Sequence, residues 1–326
     1  MKKNKRMQET YSIPTLEGRQ RVLIAPLNWG LGHASRCIPI IKKLISDGHC
    51  VVLAADGYPL ELLRQEFPEL PFVTFPSFSV RYSSGRSQVG AMLKSLPRIL
   101  KGIVQEYYRL QGLIREEDIT YVISDNRFGL FTPLVPCVYI THQLMIKMPR
   151  GLKWLEPVAW LVHRFFITRY NACWIPDLPG SDGLSGHLAH KYPLPRNARF
   201  IGFLSRFSCT PDIVPAETFH TVAVLSGPEP HRGLLEKELM DKWLGREGRV
   251  LIVRGQPAPE VQREQRENIT LVSHLPATEL KAQLLAAKEI VCRSGYSSLM
   301  DLRVLHRKAT LIPTPGQTEQ EYLAEN

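Results

Sequence analysis

The feature that most constrains the fold is an alternation of short apolar runs with helical patterns along the chain. An apolar run at 21–26 leads directly into a Gly-rich turn, a helical pattern over 34–46 and a second apolar run at 50–55. Strand, turn, helix and strand in this order form a βαβ unit, whose strands are parallel. Parallel strands are buried on both faces and need helices to cover them. The sequence therefore predicts an α/β fold built from doubly wound, Rossmann-like sheets.

The same organisation occurs twice, which predicts two domains. After Pro176 the chain is rich in Pro, Gly and polar residues until the apolar segment 200–204, as is typical of a domain junction. A second series then starts with an apolar run at 221–225, a helical pattern over 233–243 and a strand at 250–253. We predict a flexible N-terminal extension over 1–20, a first domain over 21–199 and a second domain over 200–326.

The charge and cysteine content restrict the partners. The 41 Lys and Arg against 31 Asp and Glu leave a net charge of +10, which favours an anionic partner such as a nucleotide diphosphate or acidic lipid headgroups. There is no aromatic-basic repeat, so we expect no nucleic-acid partner. The six cysteines include no CxxC pair, which indicates neither a zinc site nor a disulfide framework. Free cysteines are typical of the reducing cytoplasm, where we expect the protein. No signal-peptide pattern or 18-residue apolar run occurs.

The loop after the first predicted strand is one candidate site. It contains Asn28, Gly30 and Gly32, and His33 follows at the start of the helix. The glycines would let a ligand approach the backbone closely, and a histidine there can act as a general base near neutral pH. The third glycine of the dinucleotide-binding fingerprint is missing. Tight strand–helix packing, with His33 as a surface cap, therefore stays open as an alternative.

A second candidate site follows the strand at 290–292. Arg293, Ser294 and Gly295 open a helix that carries Ser297 in its first turn and Asp301 further along. The amides at the start of a helix hold anions such as a diphosphate, and Asp301 can accept hydrogen bonds from ribose hydroxyls. Helix capping by Ser297 or its neighbour is the simpler interpretation, and it is compatible with phosphate binding.

The residues of this second site resemble a known family. The segment 291–301, the following segment 309–313 and the residues 317–320 together look like the donor site of GT-B glycosyltransferases. The likeness is to enzymes that add N-acetylglucosamine to an undecaprenyl-linked muropeptide and to related UDP-sugar enzymes. It extends to Thr141-His142-Gln143 and to the segment 200–203, and so covers most of the chain from Arg21 onward.

The resemblance implies two Rossmann-like domains that face each other across a cleft, and it implies a role for each candidate residue. His33 would be the catalytic base, and Asp301 would bind the ribose. The donor side would comprise Arg293, Ser294, Gly295, Ser297, Asp301, Glu319, Gln320, Gly227 and Arg254, with Glu319 and Gln320 on the sugar hydroxyls and Arg293 stabilising the departing diphosphate. The acceptor side would comprise Asn28, Gly30, Gly32 and His142.

The implied reaction moves a sugar from a nucleotide-diphosphate sugar, UDP-linked as in UDP-GlcNAc, to a hydroxyl of a glycan or lipid-linked acceptor. We expect inversion at the sugar carbon, with no metal and no other cofactor. Two departures from the family are Asn28-Trp29 in place of glycine and Asp301 in place of a glutamate. A third concerns the end of the chain: the family continues into a helix that crosses back onto the first domain, and we expect this helix to be lacking.

Alternatives to sugar transfer also follow from the residues. A nucleotide-sugar 2-epimerase of the same fold could recruit Asp56, Asp125 and Glu319, and a protein that binds nucleotide sugars or nucleic acid without catalysis would account for the positive charge. The aromatic and basic segment 152–166 would either lie on an anionic membrane near a lipid-linked acceptor or form a core helix. The sequence favours the core helix for most of this segment.

Overall fold

The structure, a computed structural model, describes residues 11–77, 88–148 and 150–325, without the side chains of 88–95 and Arg150. The first ten residues of the predicted N-terminal extension and Asn326 lie outside these ranges.

A parallel sheet of seven strands forms the first domain within the described ranges. Its strands run in the order β3-β2-β1-β4-β5-β6-β7, so the chain starts in the middle and winds outward on both sides. The strands are β1 Arg21–Pro26, β2 Cys50–Ala55, β3 Phe72–Thr74, β4 Tyr121–Asp125, β5 Cys137–Ile140, β6 Ala172–Ile175 and β7 Ala198–Phe200. The helices are α1 Gly32–Ser46, α2 Gly57–Glu66, α3 Gln88–Glu116, α4 Glu156–Ile167 and α5 His187–His190.

A sheet of six strands forms the second domain, which is described up to Glu325. The order is β10-β11-β9-β8-β12-β13, and all neighbours are parallel except β10 and β11. The strands are β8 Thr221–Val224, β9 Val250–Val253, β10 Arg263–Arg266, β11 Ile269–Val272, β12 Glu289–Cys292 and β13 Thr310–Leu311. The helices are α6 His231–Trp243, α7 Ala277–Ala286, α8 Tyr296–Val304 and α9 Thr318–Glu325.

The strand sequences explain why both faces of the first sheet are covered. In β1, Val22 and Ile24 belong to one hydrophobic cluster, whereas Leu23 and Ala25 belong to the cluster on the opposite face. Successive side chains of a strand point to opposite faces, so an uninterrupted apolar run must be covered on both sides. The arrangement agrees with the predicted α/β class.

The segment before β1 is not a free extension where it is described. Tyr11 forms an antiparallel bridge with Gly202, and the Ser12 amide donates to the Ile201 carbonyl at 2.7 Å. Ile13 is only 5% exposed and belongs to the core of the first domain. The expectation of flexibility is therefore corrected for residues 11–20. The predicted boundary between 199 and 200 falls inside β7, because this strand still pairs with the first sheet.

A helix at the end of the described chain, α9, contacts the first domain, and the expectation that a further crossing helix is lacking stays a prediction. In α9, Leu323 is buried in the core cluster of the first domain. The Thr318 hydroxyl donates to the Lys147 carbonyl at 2.8 Å, and the His187 amide donates to the Tyr322 hydroxyl at 2.9 Å. These contacts hold the start of α9 at the boundary between the two sheets.

The expectation that segment 152–166 is a buried core helix is wrong for one of its faces. Helix α4 buries Glu156, His163 and Ile167. Its other face carries four apolar side chains that are each more than half exposed, namely Val158, Leu161, Val162 and Phe165. Within the described parts of the chain, we find no helix that is both long and apolar enough to span a membrane.

Two glycines that border the cleft between the sheets should respond differently to alanine. Gly255 has a φ of +68°, and an added Cβ would overlap the Leu225 carbonyl oxygen. Gly295 has an ordinary φ of −72° and open space around the Cβ position. We expect Gly255→Ala to lower the free energy of unfolding by about 2 kcal/mol or more, and Gly295→Ala to change it little. Urea denaturation followed by circular dichroism measures both free energies of unfolding. Equal free energies for the two variants would contradict the positive φ and the close contact described for Gly255.

Candidate functional site

A cleft of about 360 Å³ lies between the two sheets. The loops after β1 and β5 line it from the first domain, and the loops after β8, β9, β11 and β12 and the start of α9 line it from the second. These loops follow the carboxyl ends of parallel strands, which is where α/β sheets bind ligands. The fold therefore brings the two predicted candidate loops to one cavity.

His33 stands at the first-domain wall of the cleft, in the first turn of α1, and is bound to a buried carboxylate. Its Nδ1 lies 2.8 Å from an Asp125 oxygen, and Asp125 ends β4 with no exposed surface. Arg36, one turn further along α1, places two guanidinium nitrogens on the two oxygens of Asp125. Arg36 itself is 1% exposed. The pair is a buried, bidentate salt bridge with His33 attached to it.

The pKa shifts in this group follow from its burial and charges. Burial alone raises the pKa of Asp125, but Arg36 and His33 outweigh it and lower the pKa to about 2. Burial lowers the pKa of His33, and Arg36 adds to this effect against the attraction of Asp125. At neutral pH, Asp125 is ionised and His33 is neutral. Since a carboxylate can only accept, Nδ1 carries the proton and Nε2 is the basic nitrogen.

The group continues across the cleft into the second domain. His142, which follows β5, lies with Nδ1 3.0 Å from Arg36 and with Nε2 2.7 Å from Glu319. Gln143 donates to the other oxygen of Glu319 at 2.5 Å. The His142 ring stacks on Tyr296 at 4.1 Å between centroids. Glu319 belongs to α9, so a continuous set of polar contacts links both walls.

The turn before α8 forms the opposite wall. Gly295 is the N-cap of α8, and Gly295, Tyr296, Ser297 and Ser298 all line the cleft. The first-turn amides of a helix have no carbonyl partner within the helix and favour an anion. The Ser297 hydroxyl donates to the Gly32 carbonyl at 2.9 Å, so the two predicted loops touch directly.

Asp301 lies one turn further along α8 and also lines the cleft. Its carboxylate accepts from the Ser205 hydroxyl at 2.5 Å and from Arg206 Nε at 3.3 Å. Burial raises its pKa against the opposing effect of Arg206 and Ser205. The structure thus assigns Asp301 two partners in the chain segment that connects the domains.

The remaining predicted residues divide into two groups. Those that line the cleft are Gly30, Gly32, His33, His142, Gly227, Gly295, Ser297, Asp301, Glu319 and Gln320. Those that the structure places outside its lining are Asn28, Arg254, Arg293 and Ser294. Asn28 lies against Gly57, Arg254 binds Glu236 and Glu264, and Ser294 is fully buried with its hydroxyl on the Gln320 carbonyl.

The placement of Arg293 corrects its expected role beside the diphosphate. Its side chain is buried and donates to the Pro313 carbonyl at 3.0 Å and to the His231 carbonyl at 2.7 Å. It therefore ties the loop before α9 to the start of α6. The cationic side chains that line the cleft include Lys147 and Arg206 instead.

Sequence reasoning missed Arg36, Arg206, Lys147 and Tyr296 as site residues. A signal existed for Arg36, since a position three residues after His33 lies on the same helix face, next to the apolar stretch 37–41. Arg206 had no comparable signal, because its approach to Asp301 depends on how the segment between the domains folds.

Comparison with known proteins relates the chain to glycosyltransferases. No family model matches the sequence. One uncharacterized glycosyltransferase of Methanosarcina acetivorans is 26% identical over 168 residues, which are 49% of this chain and 42% of the relative, so this match spans less than half of that relative. A second one from the same organism is 23% identical over 331 residues, covering 92% of this chain and 81% of the relative.

Solved structures share the fold. The glycosyltransferase SnogD from Streptomyces nogalater has a TM-score of 0.54 at 17% identity, over 94% of this chain and 85% of that one. The S. aureus MnaA structure with UDP has a TM-score of 0.55 at 12% identity, over 94% and 87%. The predicted resemblance to GT-B glycosyltransferases and the predicted fold class are confirmed, and the predicted enzyme class agrees with both sequence relatives. The narrower likeness to the muropeptide enzyme stays a prediction.

The buried Asp125 should make stability depend on acid pH. Its folded pKa of about 2 lies below the ordinary value of 3.8, so its stabilising effect is complete above pH 3.8 and is lost as the pH falls toward 2. Asp125→Asn leaves Arg36 buried without its counter-charge, and we expect a loss of about 3–5 kcal/mol at pH 7. Urea denaturation across this pH range measures both effects.

Asp47→Asn is the matched control, because Asp47 pairs with Lys43 at the surface. We expect it to cost less than about 1 kcal/mol. Equal losses for the two variants would show that the Arg36–Asp125 pair contributes no more than a surface pair.

Proposed function

We propose that this protein is a glycosyltransferase that moves a sugar from a nucleotide-diphosphate sugar, UDP-linked as in UDP-GlcNAc, to a hydroxyl of a glycan or lipid-linked acceptor. One observation carries the proposal: a neutral, carboxylate-bound histidine and the N-terminus of α8 face the same cleft from opposite domains. A base and an anion site are what transfer from a diphosphate requires. Both sequence relatives are described as glycosyltransferases.

His33 serves as the base in this proposal. Its Nε2 takes the proton of the acceptor hydroxyl while the oxygen attacks the sugar carbon, and Asp125 stabilises the imidazolium that forms. The bond between that carbon and the diphosphate oxygen breaks at the same time, and its electron pair leaves with the diphosphate. Attack opposite to the leaving group inverts the configuration at the carbon.

The leaving diphosphate has a suitable site on the second domain. The first-turn amides of α8 and the hydroxyl of Ser297 favour phosphate oxygens, and Arg206 and Lys147 line the same cleft with positive charge. We therefore propose transfer without a metal or other cofactor, since these groups supply the positive charge that the departing diphosphate needs. Arg206 takes the part that the sequence suggested for Arg293.

The rest of the donor also finds matching surfaces. Val253, Pro257, Leu275 and Leu280 make part of the cleft apolar and suit a flat base. Asp301 keeps acceptor capacity for ribose hydroxyls, because a carboxylate can accept about four hydrogen bonds. Glu319 and Gln320 line the cleft, and we assign them to the sugar hydroxyls.

Epimerisation of the sugar nucleotide is less compatible with the site. Of the carboxylates that it would recruit, Asp125 is completely buried behind His33 and Arg36. Asp56 precedes α2 and is not part of the cleft lining. Of the three carboxylates that epimerisation would recruit, Glu319 alone lines the cleft, which favours transfer over epimerisation.

Binding and catalysis should separate in two variants. We expect UDP to raise the melting temperature more than GDP or dTDP does. Arg206→Gln should weaken UDP binding about 10–100-fold, because a hydrogen bond to a charged group contributes about 1.5–3 kcal/mol. His33→Gln should keep UDP binding but lower acceptor-dependent release of UDP from UDP-GlcNAc about 10²–10⁴-fold. Each variant is the control for the other.

Product analysis then distinguishes the alternatives. UDP that appears only with an acceptor supports transfer, and a changed sugar nucleotide without acceptor supports epimerisation. Failure of every nucleotide to stabilise the protein would contradict the proposed donor site. Affinity for nucleic acid that falls steeply with salt would instead support the nucleic-acid alternative.

We also propose that the first domain contacts an anionic membrane on the cytoplasmic side, where a lipid-linked acceptor would lie. The exposed face of α4 carries Leu161 and Phe165, and Trp154 just before it is 71% exposed. The Arg169 guanidinium lies 4.1 Å from the Phe165 ring centroid, so positive charge borders the apolar face. The opposite face of α4 contributes His163 to the cleft, which places this surface one helix away from the site.

The double variant Leu161→Asp with Phe165→Asp should reduce binding to vesicles that contain phosphatidylglycerol at least about tenfold, because it replaces apolar contact with repelled charge. Co-sedimentation with vesicles measures this. Val214→Asp is the control, since Val214 is 91% exposed and lies between the domains. Unchanged vesicle binding by the double variant would refute the membrane assignment. If the unchanged protein is a dimer in solution and the double variant is a monomer, the face binds a second copy of the chain instead.

A further inference from the structure

We propose that Arg36 is a positioning residue that fixes the tautomers of His33 and His142 at once, and so connects the base in the first domain to Glu319 in the second. The proposal rests on the proposed function for the role of His33 as the base. Its geometric part, which concerns two histidines and one guanidinium, can be tested without any substrate.

The first tautomer follows from the two neighbours of His33 Nδ1. An Asp125 oxygen lies at 2.8 Å and an Arg36 nitrogen at 3.0 Å. That Arg36 nitrogen already donates to the same Asp125 oxygen. A carboxylate only accepts, so the shorter contact requires a proton on Nδ1. By holding Asp125 in place through both of its oxygens, Arg36 keeps Nε2 of His33 unprotonated toward the cleft.

The second tautomer is that of His142, in which the proton lies on the other ring nitrogen. Its Nδ1 lies 3.0 Å from Arg36, and a guanidinium can only donate, so Nδ1 is unprotonated. The proton of the neutral ring is therefore on Nε2, which lies 2.7 Å from a Glu319 oxygen. Burial alone raises the pKa of Glu319, but His142, His33 and Arg36 lower it, so Glu319 is an ionised acceptor.

Arginine suits this position because of the shape of its donors. The guanidinium is planar and presents five N–H groups, which here reach both oxygens of Asp125 and the Nδ1 of His142. A lysine would keep the positive charge but not this fixed fork. Arg36 is only 1% exposed, although it borders the cleft, so little of its side chain meets water that could replace a lost contact.

Arg36 would thereby act on both substrates without touching either. On one side it keeps His33 ready to accept the proton of the acceptor. On the other side it makes His142 a donor to Glu319, the carboxylate that we assign to the donor sugar. An Arg36 substitution should therefore disturb both histidines together, whereas a substitution of Asp125 should disturb His33 alone.

Two-bond ¹H–¹⁵N correlation spectra of the ¹⁵N-histidine-labelled full chain at neutral pH test the proposal, because they distinguish protonated from unprotonated ring nitrogens. In the unchanged protein we expect the proton on Nδ1 of His33 and on Nε2 of His142. Asp125→Asn should change the His33 pattern alone. Glu319→Gln should leave both patterns unchanged, because Arg36 still donates to Nδ1 of His142 and the amide oxygen can still accept from Nε2. Arg36→Gln should change both. The exposed His306 serves as an internal reference.

Arg36→Lys keeps the charge and serves if Arg36→Gln does not fold, with folding judged from circular dichroism and the His306 signal. We expect Arg36→Lys to change at least the His142 pattern, because one ammonium group cannot reach all three acceptors in the same geometry. A folded Arg36 variant in which both histidines keep their tautomers would overturn the proposal, as would a change confined to His33. If the spectra show the expected tautomers and the expected changes in the variants, but the protein releases no UDP, the proposed function is refuted and the role of Arg36 is not.

Discussion

The buried ion pair between Arg36 and Asp125 is the interaction on which the site depends. Both side chains are almost completely excluded from solvent, and charges removed from water are costly unless they are paired and fully hydrogen-bonded. Here the two oxygens of Asp125 accept from Arg36 and His33, and the remaining guanidinium nitrogen reaches His142. The need to satisfy these groups fixes the relative positions of α1, β4 and the loop after β5.

This constraint extends from the first domain to the second. His142 meets Glu319 of α9, the Ser297 hydroxyl meets the Gly32 carbonyl, and Leu323 of α9 is buried in the first-domain core. The cleft is therefore closed by polar contacts near the site and by apolar packing behind it. In the proposed reaction, a donor bound at Glu319 or at the α8 N-terminus would act on groups that already contact the first domain.

The distribution of positive charge also has a structural cause. Arg293 follows a buried strand, and its long side chain reaches three backbone carbonyls, those of His231, Ile312 and Pro313. Arg206 lies in the segment that joins the two domains, where its guanidinium borders both Asp301 and the cleft. Proximity in sequence to a Ser-Gly turn is therefore a poor guide to which arginine lines the cleft.

The sequence by itself determined the two parallel α/β sheets, because apolar runs with helical spacing between them admit little else, and it placed His33, Gly295 and Glu319 at strand ends that share one cleft. It missed β10, Arg263–Arg266, whose polar residues pair with β11 through their backbone at a sheet edge. It also missed Arg36 as a partner of Asp125, the exposed face of α4 and the contacts of α9 with the first domain. These depend on contacts between residues far apart in the chain, such as the 89 positions between Arg36 and Asp125, and only the tertiary structure decides which distant groups complete a buried charge.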